Sequence, residues 1–158
     1  TYYNDKGRIV FDAPITEIPS FAFEYSEGLT GITIPNSVTV IGYNAFYGCT
    51  KLATISIPSS VTSIGHSAFS YCSALKSITL PSGITSISAR AFEGCTSLTS
   101  VEIGDSVTSI ESGAFQNCSS LTSINYNGTK EQWNAISKGS LWNFDTGIYT
   151  IYCIDGNI

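Results

Sequence analysis

Apolar and polar positions along this chain recur with a single period. Four Ala-Phe pairs, at Ala45-Phe46, Ala68-Phe69, Ala91-Phe92 and Ala114-Phe115, align four units of 23 residues with no insertions. The units begin at Leu29, Leu52, Leu75 and Leu98. Within each unit the first, fourth and sixth positions are apolar, as in Leu29, Ile32 and Ile34. The tenth and thirteenth follow, as in Val38 and Ile41, then the Ala-Phe pair, then a closing cysteine such as Cys49. A fainter copy precedes the series, with Ile15, Ile18, Ala22, Phe23 and Ser26 in the matching slots. A half copy, Leu121, Ile124 and Tyr126, comes after it.

One such unit cannot bury its own apolar side, but stacked units can, and their buried positions then form columns through the domain. The L-x-x-I-x-I stretch alternates as a short strand does. Pro35, Pro58 and Pro81 end it, because proline cannot donate to a ladder, and Gly104 stands there in the fourth unit. From Ile41 to Cys49 apolar residues fall at i, i+4, i+5 and i+8, which predicts a short helix or helical turns. Each unit therefore reads as a strand, a turn, a second extended segment and a short helical side. The whole is an α/β repeat in a single domain over residues 1–158.

Both ends depart from the period. Residues 1–11 are expected to form an N-terminal cap, with Tyr2, Tyr3, Ile9, Val10 and Phe11 as strand residues over the first coil and Lys6-Gly7 at a turn. Residues 12–126 hold the repeats, and residues 127–158 are expected to form a non-repeat C-terminal cap. There Asn127-Gly128 reads as a turn, and Thr129 with Gln132 as a capping box. A helix is predicted from about Lys130 to Ser137 with Gly139 as its C-cap, then a strand over Ile148 to Ile154 and a turn at Asp155-Gly156. Trp133 and Trp142 are expected to lie over the end of the apolar columns, an aromatic ligand box being the alternative.

The pattern I-x-I-P-x-S-V-T-S-I-G-x-x-A-F-x-x-C-x-x-L, over roughly residues 12–126, resembles the BspA-like leucine-rich repeats of bacterial surface proteins. GTKEQW, from Gly128 to Trp133, resembles a segment commonly attached to such repeats at the C-terminal end. The resemblance implies a right-handed leucine-rich-repeat solenoid with a parallel sheet on one side. It also implies a secreted or cell-surface bacterial protein used for adhesion or protein binding, with no chemistry of its own.

Composition narrows the classes. Hydrophobic residues make up 42% of the chain and charged residues 12%, about half the usual charged share, so disorder is excluded. No apolar run is long enough to span a bilayer. A net charge of −5 lacks the basic face expected for nucleic acid. Residues 29–97 carry Lys51, Lys76, Arg90 and Glu93, while residues 98–126 carry Glu102, Asp105 and Glu111, so charge steers a partner weakly. The chain opens at TYYND without a leader or initiator methionine, which fits a processed chain.

Cys49, Cys72, Cys95 and Cys118 sit one unit apart with no C-x-x-C pair. Equivalent side chains on successive coils run parallel, whereas a disulfide needs converging Cβ vectors, so each thiol is expected as a small buried plug. Ser26 in the same slot suits a position chosen for size, and Cys153 is expected to be free as well. The sole histidine, His66, shares a variable column with Tyr43, Ala89 and Ser112, with no nucleophile fixed beside it. Glu102, Asp105 and Glu111 read as scattered surface carboxylates, with a calcium site as the weaker alternative. Asn117-Cys-Ser and Asn127-Gly-Thr match glycosylation sequons. No catalytic residue, metal ligand or cofactor is assigned.

The variable columns face outward and are where a partner has to bind. Along the strand, Thr33, Ser56, Thr79, Glu102 and Asn125 give a small polar face without Trp, Tyr or Arg anchors. The helical side carries Tyr25, Tyr43, Tyr47, His66 and Tyr71, the candidate partner-binding patch, with simple packing over neighbouring coils as the alternative. The chain is thus expected to be a monomeric, non-enzymatic binding or adhesion domain for an extracellular or host protein or a glycan. The rivals are a structural spacer presenting other domains, and an enzyme or metal protein built on the C-terminal segment.

Overall fold

A computed structural model describes residues 14–158, together with the strand residues Tyr2–Tyr3 and Ile9–Val10. These two strands, β1 (Tyr2–Tyr3) and β2 (Ile9–Val10), pair antiparallel. The turn expected at Lys6-Gly7, Phe11 and the cover over the first coil lie outside the described residues.

Each following coil contributes two short strands: β3 (Glu17–Ile18) and β4 (Gly31–Thr33), then β5 (Val40–Ile41) and β6 (Thr54–Ser56). β7 (Ser63–Ile64) and β8 (Ser77–Thr79) follow, then β9 (Ser86–Ile87) and β10 (Ser100–Ile103), then β11 (Ser109–Ile110) and β12 (Ser123–Tyr126). The strands pair in parallel one period apart, as Ile32 with Ile55, Ile78 with Val101, Ile18 with Ile41 and Ile87 with Ile110, but β6 does not pair with β8 nor β7 with β9, so the pairing falls into four sheets. Every second strand residue turns inward, so Ile78, Val101 and Ile124 are buried while Thr79 and Ser77 are exposed.

The side predicted as helical is built of turns instead. Two residues per coil, four apart, have left-handed backbone: Phe21 and Tyr25, Asn44 and Gly48, Ser67 and Tyr71, Arg90 and Gly94, Gly113 and Asn117. A helix cannot pass through such residues. Its i−4 hydrogen bonds are replaced by an alternation. Ala45, Tyr47 and Cys49 N–H donate within the coil to Gly42, Asn44 and Phe46, while Asn44, Phe46 and Gly48 N–H donate to His66, Ala68 and Ser70 of the next coil.

The core is a set of columns. Phe23, Phe46, Phe69, Phe92 and Phe115 stack face to face, with ring centroids 5.2–5.6 Å apart and planes within 13°. Beside them run buried columns of isoleucine (Ile41, Ile64, Ile87, Ile110), leucine (Leu52, Leu75, Leu98, Leu121) and alanine (Ala45, Ala68, Ala91, Ala114). The four repeat cysteines are buried and free, as the parallel geometry requires. Each Sγ–H also donates to the carbonyl of a phenylalanine in the coil before, Cys49 to Phe23, Cys72 to Phe46, Cys95 to Phe69 and Cys118 to Phe92, at 3.1–3.2 Å.

Parallel pairing does not stop at residue 126. Helix α1 (Lys130–Ala135) is two residues shorter than expected and is capped at Thr129, whose hydroxyl accepts from Gln132 N–H while Thr129 N–H donates to Gln132 Oε1. It ends at Ile136, whose backbone turns extended and whose N–H donates to the Trp133 carbonyl, rather than at Gly139, and Lys138 Nζ also donates to the carbonyls of Trp133 and Ile136. β13 (Ser137–Lys138) then pairs parallel with β11, Ser109 opposite Ser137, and β14 (Thr150–Cys153) pairs parallel with β12. Leu141 and Asp145 supply the same left-handed pair as the earlier coils. Residues 127–153 thus form a further coil with the helix inserted into it. β15 (Gly156–Asn157) folds back antiparallel on β14 and covers that edge of the sheet. Trp142 meets the last phenyl, Phe115, edge-on at 6.4 Å, and Trp133 packs on Trp142 at 6.2 Å.

Candidate binding surface

The expected site residues project from the turn side of the first coils, and the left-handed turns decide where they point. Tyr25 and Tyr71 are themselves left-handed residues, at φ +55° and +59°. They occupy one column, two coils apart, with Gly48 between them and Gly94 after them. A Cβ on Gly48 would stand 2.7 Å from Cδ1 of Tyr25, and one on Gly94 2.6 Å from Cδ1 of Tyr71. Each tyrosine therefore lies in the space its glycine leaves open. Tyr47 fills the gap on the diagonal, meeting Tyr25 edge-on at 5.3 Å and Tyr71 at 5.4 Å.

A second row runs four residues away. Tyr43 lies 5.7 Å from His66 in the next coil and meets Phe21 of the preceding coil edge-on at 4.8 Å. All five candidate residues thus fall into two contacting aromatic rows, Tyr25–Tyr47–Tyr71 and Tyr43–His66. Phe21 is an added member: half its surface is exposed, and it stands in the column of Asn44 and Ser67, where no neighbour is aromatic. Tyr25, at 62% exposure, and Tyr43 and Tyr71, near 40%, leave substantial ring area open. The rings pack over adjacent coils and still leave area exposed.

The electrostatics are mild. Burial first, then the neighbouring hydroxyls of Tyr25 and Tyr71 and the Glu93 carboxylate, push the Tyr47 phenol above its ordinary range. Burial and Glu93 raise Tyr71 likewise, and its hydroxyl reaches Glu93 Oε1 at 3.5 Å. These tyrosines are neutral donors at physiological pH, not phenolate nucleophiles. Glu93 Oε2 also faces Arg90 Nε at 3.8 Å, and Glu24 Oε1 accepts from Asn44 Nδ2 at 3.0 Å.

Elsewhere the acids are held apart. Glu102 accepts from Asn125, and Glu111 from Ala89 N–H and Ser86. Among the described residues no three His, Cys, Asp or Glu side chains gather as a metal site requires. Trp133 is buried and Trp142 half-buried, packed on each other and on Tyr126 and Tyr149 rather than lining an open box. The strand face is a plain array of Thr33, Ser56 and Thr79. Among the described residues no helix is long and apolar enough to cross a membrane.

The sequence model of the BspA type leucine rich repeat region matches residues 8–143 in six copies. Among solved structures, a leucine rich cell surface protein from Faecalibacterium prausnitzii superposes with a TM-score of 0.77 at 41% identity, over 80% of this chain and 34% of that one. The chain thus spans about a third of that protein's length. A leucine rich repeat protein from T. pallidum superposes with a TM-score of 0.70 at 30% identity, over 89% of this chain and 69% of that one. A leucine-rich repeat protein from Eubacterium ventriosum, 24% identical, shares the fold with a TM-score of 0.69 over 90% of this chain and 46% of its own. No curated protein matches the chain.

Proposed function

The chain belongs to the BspA-type leucine-rich repeat family of bacterial surface proteins, and on that premise we propose that it is a non-enzymatic binding domain acting outside the cell. It holds a partner protein through the turn-side aromatic surface. The observation that carries this reading is the two rows of aromatic rings in contact, largely exposed, on coils whose outward strand residues Thr33, Ser56 and Thr79 are small and polar. Rings of this kind anchor interfaces because they bring apolar area with a polar tip at little entropic cost. A spacer needs no such rings, and their exposure favours binding over mere separation of neighbouring domains.

The test is a binding screen of the purified chain against extracellular host proteins and glycans, with a Tyr43→Ser/Tyr47→Ser/Tyr71→Ser variant alongside. Saturable binding that the still-folded variant loses supports the site. Binding that survives in the variant moves it to the strand face or the last coil. No binding to any candidate leaves the spacer reading ahead.

A further inference from the structure

Strand pairing is interrupted at one interval, between the coil of Phe69 and the coil of Phe92. On the side of β5, β7, β9 and β11 two backbone bonds recur from coil to coil. Ahead of the strand, Thr39, Thr62, Thr108 and Ser137 N–H donate to Thr16, Thr39, Thr85 and Thr108. After it, Gly42, Gly65, Glu111 and Gly139 N–H donate to Ile18, Ile41, Ile87 and Ile110. Among the described residues the bonds missing from these series are Thr85 N–H to Thr62 and Ser88 N–H to Ile64. On the other strand side β6 and β8 do not pair. There Lys76 N–H reaches the Ala53 carbonyl at 3.4 Å, where Ala53, Thr99 and Thr122 make the equivalent bond at 2.8–3.2 Å. Phe69 and Phe92 are also the widest step of the phenyl column, 5.6 Å against 5.2–5.4 Å. The turn side is intact. Ser67, Phe69 and Tyr71 N–H donate across the same interval at 2.7–3.1 Å, and the buried Ser70 hydroxyl adds a bond to the Arg90 carbonyl at 2.5 Å.

Three residues of the Leu75 unit coincide with the break. Gly83 stands in the column of Ser37, Ser60 and Ser106, whose hydroxyls donate to carbonyls of the preceding coil. Ile84 adds a methylene in the buried column of Val38, Val61 and Val107. Ser88 stands in the column of Gly42 and Gly65, where a Cβ would meet the backbone of the preceding coil at 2.5 and 2.6 Å. The Ser88 hydroxyl takes the Ile64 carbonyl at 2.6 Å, in place of the backbone N–H. Glu111 also carries a side chain in that slot and keeps its N–H bond, but its unit retains Ser106 and Val107, and its carboxylate accepts from Ala89 N–H.

We propose that this seam is a hinge, at which the strand sides open about the continuous turn side well short of global unfolding. Tyr71 is the last member of the two aromatic rows and precedes the seam. The coils that bear the candidate patch therefore tilt as one block against the coils that follow, and the rows are not parted.

The experiment is NMR of the full chain and of a Gly83→Ser/Ile84→Val/Ser88→Gly variant, which restores the residues of the Leu52 unit at these slots. In the native chain the amides of residues 76–78 and 85–88 should show relaxation dispersion on the μs–ms scale. They should also exchange hydrogen about tenfold or more faster than the amides of residues 99–101 and 108–111. The variant should lose the dispersion and slow that exchange by about tenfold or more, with the slow amides of Phe69 and Tyr71 unchanged. Flat dispersion in the native chain overturns the hinge even where Thr85 and Ser88 exchange fast, since a static gap with two unbonded N–H groups does the same. Seam exchange that the variant leaves unaltered overturns it too. So does exchange of Phe69 and Tyr71 as fast as that of the seam, because the whole coil then opens rather than its strand sides alone.

Discussion

Phe69 sits in the middle of the phenyl column, fully buried, with its ring 5.2 Å from Phe46 and 5.6 Å from Phe92. Phe69→Ala removes a whole buried phenyl from a core that relaxes only in part, at a cost of about 3–5 kcal/mol. For a chain of this size that lowers the melting temperature by roughly 6–20 °C. Burial and stacking are separated by Phe69→Leu, which keeps most of the apolar volume and removes two ring pairs. Each pair is worth about 0.5–1.5 kcal/mol beyond its area, so the leucine variant should lose about 1–3 kcal/mol. Phe23→Leu at the start of the column removes one ring pair, with Phe46, and should lose about half as much. Urea unfolding measures all three. Far-UV circular dichroism follows the whole stack, and fluorescence follows Trp133 and Trp142 in the last coil. Coincident transitions establish that the coils unfold together. If Phe69→Leu costs no more than Phe23→Leu, the rings merely fill space and the stacking argument is wrong.

Gly48→Ala places a side chain at φ +69° and 2.7 Å from the Tyr25 ring, and should cost about 1–2 kcal/mol; in a Tyr25→Ser background the clash disappears and the cost should shrink, as a double-mutant cycle would read. A thiol reagent should label the half-buried Cys153 in the folded chain and reach Cys49, Cys72, Cys95 and Cys118 only on unfolding; early labelling of all five would refute the buried column. Burial pushes Cys49 from an ordinary 9.0 up to about 11 and Cys118 up to about 12. The unfolded chain therefore releases these protons first, so stability should be full below about pH 9 and fall as pH rises through 11 to 12, less steeply in a Cys49→Ala/Cys118→Ala variant than in the native chain. Lys138→Met removes the donor that closes α1 and the cation 5.0 Å from the Trp133 ring, and should cost about 1–2 kcal/mol with a shift in tryptophan emission.

The stacked coils, the inward columns and the free cysteines were legible because each repeats four times in register. The turn side was misread for an identifiable reason. Apolar spacing from Ile41 to Cys49 satisfies a helical template, but that template ignores backbone handedness. The signal that contradicts it was present in Gly48, Gly94 and Gly113 and in Asn44 and Asn117, residue types that tolerate left-handed backbone, at two fixed slots. Tyr25 and Tyr71 in one of those slots hid it, since their cost is met by the hydrogen bonds to the next coil. The last coil escaped notice because the inserted α1 breaks the 23-residue spacing, so that Ser109 pairs with Ser137 and not with residue 132. The aromatic columns named the patch, but not its diagonal contacts. Tyr25–Tyr47 and Phe21–Tyr43 join different columns, and only the offset of the turns brings them together.

The hydrogen bonds of the turn side have a consequence for shape. Asn44, Phe46 and Gly48 are tied to the next coil by backbone bonds, just as Ile32 is tied to Ile55 across the sheet. Both sides are therefore held at the spacing of a β-ladder, about 4.8 Å per coil. Helices packed on one side would stand about 8–10 Å apart and splay the coils into an arc. With similar spacing on both sides, neither side spreads the coils as packed helices would, and the column positions are graduated in coils. The separation of any two surface groups in one column then scales with the number of coils between them. Inserting or deleting a whole coil would change that separation by one graduation.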